Sequence, residues 1–266
     1  MDVDNIFSSQ AYSFQQAIKA FGKIVDDIQG DYKATRFVDW PTVVLSMLLH
    51  STAISLYRLL PKEVSDESAV LIDRRSIATL VRNLVDTHDV IDLLCDPDQA
   101  PADFNLHRDI MGYYLSGKLH AFHGKADPAS FFGRLDKTQD WYWKRIASAL
   151  PDKGRKNRLK RGESLFYLTR KERIAKCCGQ NHEFVEKVLA DLSTYVHSVP
   201  PALWMQTPDA VFANDKKTRG VLTVWLRITN FYYARAIGIV LLAYRQESST
   251  DELRNFMDIN KAVFQT

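Results

Sequence analysis

Cysteine, glycine and proline are all scarce in this chain. The three cysteines, Cys95, Cys177 and Cys178, are an odd count with one adjacent pair, which is no disulfide framework. A reducing compartment follows as the expectation, and the protein is read as cytoplasmic. Eleven glycines and nine prolines in 266 residues leave long stretches without a breaker. Period-two alternation flanked by hairpin turns is missing too, which argues against a sheet-based fold. There is no GxxxxGK[ST] phosphate loop, no GxGxxG after a strand and no GxSxG elbow. Phosphate-loop NTPase, dinucleotide-dehydrogenase and α/β-hydrolase chemistry are therefore disfavoured. The opening residues, MDVDNIFSSQ, lack the basic start and apolar run of a signal peptide.

Apolar residues instead recur at spacings of three and four, the helical period. Helices are expected over about 5–29, 40–60, 66–95, 104–122, 138–149, 169–178, 181–197 and 216–247, with a short tail helix from near Thr250. Asp39-Trp40-Pro41 supplies a start signal, and Pro61 and the VPP at 199–201 supply stops. The expected architecture is all-α: one domain over 1–266, a bundle of roughly eight helices with a protruding basic loop at about 151–163. The stretch from Thr42 to Leu60 is long enough to span a membrane. It carries His50, Arg58 and several hydroxyl residues, so a buried core helix is the reading, and no membrane segment is expected.

Charge is unevenly spread. Between Lys153 and Lys176 ten basic residues face two acidic ones, a local +8 in a chain whose net charge is +3. Lys153, Arg155, Lys156, Arg158, Lys160 and Arg161 fall within nine residues. Such a cluster neutralises phosphates and releases their counterions, so nucleic acid is a candidate partner. A solvated loop, or an anchor for an acidic partner, fits the same composition.

On the helix expected over 66–95, Ile77, Val81, Leu84, His88, Ile91 and Cys95 step by four and three, an apolar stripe with a histidine inside it. Arg82 and Asp86 make an i,i+4 pair on another face, together with Arg75 and Asp89. Arg82, Asn83 and His88 also form an arginine–polar–x4–histidine pattern. It resembles the motif of the HEPN superfamily (higher eukaryotes and prokaryotes nucleotide-binding), many members of which are metal-independent RNA-cleaving nucleases. The resemblance implies that Arg82 holds the scissile phosphate, that His88 does acid–base work, and that two protomers bring their motifs together in a homodimer. Arg82 and His88 lie roughly 120° apart on an ideal helix, so one helix alone does not converge them. The alternative is a core histidine beside a surface salt bridge.

A second resemblance covers more of the chain. RRSIATLVRNLVDTHDVIDLL, with LADLSTYVHS later, is similar to a bacterial all-helical domain family of unassigned function that pairs an Arg-x-x-x-Glu helix with a Ser-x-x-x-His helix. Arg75 and Asn83 match the first element, Ser193 and His197 the second, and Thr79 stands where that family commonly has glutamate. The resemblance implies a helical bundle. Arg75, Ser193 and His197 would make a polar cluster, either a clamp between helices or a pocket for an anion.

Residues 174–189 also resemble a helix-turn-helix, with Gly179 in the turn and Val185 and Leu189 at packing positions. Its second helix carries Glu183, Glu186 and Asp191 against Lys187, a poor match for phosphate-lined DNA. His120 and His123, with Asp103 and His107, lack a third ligand at a diagnostic spacing. No metal and no cofactor are expected. Two readings stand. One is a nucleic-acid-acting protein, in its specific form a HEPN-like ribonuclease of a toxin or antiviral type. The other is a non-catalytic helical binding or scaffold protein.

Overall fold

The computed structural model describes residues 2–30, 39–61, 72–123, 137–161, 165–196, 215–244 and 250–262. It is all-α, and no strand occurs among the described residues. The helices are α1 (Val3–Gly30), α2 (Asp39–Leu59), α3 (Arg74–Leu94), α4 (Pro101–His123), α5 (Gln139–Ala149), α6 (Lys153–Lys160), α7 (Arg170–Cys178), α8 (His182–Val196), α9 (Lys216–Tyr244) and α10 (Asp251–Ala262). Where the sequence suggests one domain, the chain divides into two compact units. One comprises 1–95 and 173–266; the other is 96–172.

The larger unit is built around α9. Nineteen of its 29 residues are buried, among them Trp225, Phe231, Tyr232 and Tyr233. It packs against α1, α2, α3 and α10. A helix apolar on nearly every side needs cover on every side. Phe14 and Phe21 of α1 meet the Tyr233 ring edge-on at 5.4 and 5.8 Å. Two of the polar groups that α9 takes inside are partnered: Arg219 pairs with Asp4 at 2.6 Å, and the Asn230 amide donates to the Gln10 side-chain oxygen at 2.8 Å. The apolar stripe expected on α3 is buried in full, from Ile77 through His88 to Cys95. Asp73 caps that helix by accepting from the Ser76 amide, and its hydrogen bonds to Ser76 hold its carboxyl below the usual range.

Helix α2 is only partly the core helix anticipated. Val43, Leu49, Ala53 and Leu56 are buried, whereas Met47, Leu48 and Leu59 are exposed, Leu48 at 51%. Among the described residues it packs on α1, α3 and α9. Pro41–Leu59 is, by length and composition, the one helix among the described residues able to cross a membrane.

In the smaller unit α4 packs on α5, and α5 contacts α6. Leu106, Ile110, Ile146, Leu150 and Leu159 form its core, with Tyr113, Trp143 and Tyr167 against it. Gly112 sits where α4 passes the Tyr142 ring: a Cβ there would come within 2.4 Å of that ring. Gly112→Ala is therefore expected to destabilise this unit by about 1–3 kcal/mol, the usual cost of overpacking. Hydrogen exchange should register the loss as faster exchange in α4 and α5, and unchanged protection there would count against this packing.

The basic loop expected at 151–163 is instead a helix over Lys153–Lys160. Lysine and arginine are good helix formers, Asp152 caps the first turn by accepting from the Arg155 amide at 2.9 Å, and Gly154 falls near that end, where it costs little.

Candidate functional site

The six basic residues of the α6 region diverge in what they do. Arg155 reaches Glu172 at 2.6 Å and Asp152 at 3.6 Å. Glu172 is in turn held by a reciprocal cap: it accepts from the Thr169 amide at 2.7 Å, and its own amide donates to the Thr169 hydroxyl at 3.3 Å. Those bonds, with Arg155 beside it, keep the Glu172 carboxyl below its ordinary range. Arg158 donates to the Tyr167 carbonyl at 3.5 Å. Arg155 and Arg158 thus spend their charge within the unit.

Lys153, Lys156 and Lys160 stand at i, i+3 and i+7, within roughly 60° of one another around a 3.6-residue helix. Lys153 and Lys160 are exposed, Lys156 is half-buried, and Leu159 is the single buried residue of α6. Lys160 lies 5.7 Å over the Trp143 ring, while the Tyr113 hydroxyl donates to its carbonyl. Arg161 is exposed just beyond the helix. The unit also exposes Trp141, 38% accessible, with the Arg145 guanidinium 4.8 Å from its ring. Over 96–172 the sequence has fifteen Lys and Arg against ten Asp and Glu, net +5, and the rest of the chain, at +3 overall, is therefore −2.

The residues of the nuclease-like pattern take up separate environments. Arg82 pairs with Asp86 at 3.2 Å, as the i,i+4 spacing implies, and donates a short hydrogen bond to the Ser193 hydroxyl on α8. Asn83 is exposed. His88 is fully buried, with its ring edge-on to Tyr232 at 4.8 Å and its Nδ1 3.2 Å from Asp89. Within this chain no surface presents the Arg82 guanidinium and the His88 imidazole together. Of the polar cluster expected from Arg75, Ser193 and His197, Arg75 is exposed and Ser193 is met by Arg82. His197 lies outside the described residues.

A polar cluster that sequence reasoning missed sits between α3, α7 and α9, with Asp89 its buried member. Asp89 accepts from Arg173 at 2.8 Å. Asp92 meets Lys176 at 3.0 Å and Arg235 at 3.7 Å. Burial works to raise the Asp89 carboxyl, yet its hydrogen bonds to His88 and Arg173 and the charge of the Arg173 guanidinium hold it below its usual range. Burial also pushes the Cys177 thiol up to about 12 and that of Cys178 to about 11. Neither thiol is a ready nucleophile at neutral pH.

At the α7–α8 junction Gly179 stands at φ +51°, in the left-handed region, and Ile174, Val185 and Leu189 are buried. The outward side of α8 carries Glu183, Phe184 and Asp191. His107 is buried, bonded to Gln99 at 2.8 Å and stacked on Tyr167, while Asp103 is exposed. The side chains of His120 and His123 are outside the described ones.

Comparison of the chain with models of known families, with curated proteins and with solved structures finds no match.

Proposed function

We propose that this protein binds the sugar–phosphate backbone of nucleic acid, RNA in the first instance, through the lysine stripe of α6. The observation that carries the reading is the build of that helix. Five cations stand on a capped eight-residue helix with one buried side chain, and a sixth follows at Arg161, in a unit of net +5. A helix with so small an apolar face gains little from packing, and its lysines are held in a row at spacings that a phosphodiester chain can follow. Trp141, half-open beside Arg145, offers a face on which an unpaired base can stack.

The binding is read as non-catalytic. The ribonuclease reading needs His88 to touch a strand, and the geometry gives it no support, since that ring is buried against Tyr232. Arg82 braces α3 against α8 through Ser193.

Fluorescence anisotropy with a labelled single-stranded RNA, measured across a salt series, tests this. The wild-type protein is expected to bind with a steep salt dependence. Lys153→Gln/Lys156→Gln/Lys160→Gln should flatten the log–log slope by about 2, at roughly 0.7 for each single-strand phosphate that goes unneutralised. The bound RNA should be recovered intact without metal. An unchanged slope in the triple variant would refute the assignment to α6, and cleavage that disappears in Arg82→Ala would restore the nuclease reading.

A further inference from the structure

Independently of nucleic-acid binding, we propose that His88, Asp92 and Cys177 form a zinc site in the larger unit. His88 and Asp92 are four apart on α3 and so share a face, and Cys177 comes from α7. One ligand atom from each lies within 4.8 Å of the other two. The second observation is the state of the imidazole. His88 is wholly buried, its Nδ1 faces Asp89, and its Nε2 has no hydrogen-bond partner. Buried polar atoms are rarely left so, and a metal ligand is one standard explanation. With Nδ1 turned to a carboxylate, Nε2 is the nitrogen left to bind, and the Asp89–His88 pair reproduces the carboxylate–histidine arrangement that orients metal-binding imidazoles.

The surrounding charges are compatible with a cation. Asp92 already holds one: the Lys176 ammonium, whose side chain is 50% exposed, contacts Oδ2. That ammonium can swing into solvent as the ion arrives, while Arg235 stays near Oδ1 and Arg173 stays on Asp89. Cys177 enters as thiolate, its proton passing to solvent. The Cys178 sulfur is engaged elsewhere, 3.8 Å from the Tyr232 hydroxyl. One nitrogen, one sulfur and one carboxylate oxygen suit Zn²⁺ in tetrahedral coordination, with water as the fourth ligand.

The test uses Co²⁺ as a coloured stand-in for Zn²⁺, added to the reduced, metal-stripped full chain. One equivalent is expected to raise a thiolate-to-cobalt charge-transfer band with the visible absorption of a tetrahedral ion, and Zn²⁺ should abolish both. Cys177→Ser should lose the charge-transfer band, whereas Cys178→Ser and Cys95→Ser should keep it. Asp89→Asn should weaken binding by about 10–100-fold, as removal of an orienting partner does. Circular dichroism checks that each variant is folded, and Asp92→Asn provides a second ligand variant should Cys177→Ser fail that check. Absence of the band in the wild-type protein, or its survival in Cys177→Ser, overturns the proposal.

Discussion

Asp89→Ala is expected to lower the unfolding free energy by about 3–5 kcal/mol, the range for deleting one partner of a buried ion pair. The side chain is 8% exposed and receives Arg173 Nε at 2.8 Å, with His88 Nδ1 3.2 Å away. Without that carboxylate the Arg173 guanidinium, itself 15% exposed, keeps its charge but loses the group that compensates it. Most of the cost is that penalty rather than the net worth of the pair. Asp89→Asn, which keeps a hydrogen-bond acceptor, should cost less. Urea unfolding of the metal-free proteins measures both, and a midpoint for Asp89→Ala equal to wild type would show that Asp89 does not hold α3 to α7. The pH dependence has a definite sign. The folded-state carboxyl lies below its unfolded value. Its contribution is therefore fully present above the ordinary aspartate value of about 3.9 and is lost as the pH falls further, through the folded one. Below about pH 4 the wild-type and Asp89→Ala stabilities should converge.

Trp225→Ala should be comparably severe, at about 3–5 kcal/mol. Trp225 lies in the first half of α9, is 1% exposed, and takes the Tyr195 ring of α8 edge-on at 5.2 Å. Truncation removes apolar area and leaves a cavity that rigid helices on its borders close only partly. Trp225→Phe keeps a ring and should recover much of the stability. A thermal midpoint for Trp225→Ala within a degree or two of wild type would mean that the site collapses freely and that α9 is not the structural axis of its unit.

Much of the helical frame can be read without coordinates, because an amphipathic helix writes its buried face into the chain. The α3 stripe from Ile77 to Cys95, His88 included, is an instance, and so is the Arg82–Asp86 pair. Helix α6 escapes that reading for a physical reason. Most of its residues are charged, so there is no apolar period to detect, and the remaining signal is Asp152 as a cap three residues before Arg155. Periodicity puts Asp89 on the surface face with Arg82 and Asp86, yet α7 covers its flank of α3 and Arg173 meets it there. The Asp89–Arg173 and Asp92–Lys176 pairs each bridge 84 positions, and nothing local in a sequence encodes contacts at that separation. The same holds for Cys177 beside His88.

The place of α9 in the chain bears on how the protein comes to be assembled. During synthesis α1, α2 and α3 emerge well before α9, which begins about 120 residues after α3 ends. Their apolar faces must wait that long for the helix that buries them, exposed meanwhile to aggregation or to chaperone capture. The unit at 96–172 is a single continuous stretch of chain that lies wholly before α9, so it can close within that interval, and the middle of the polypeptide matures ahead of its beginning.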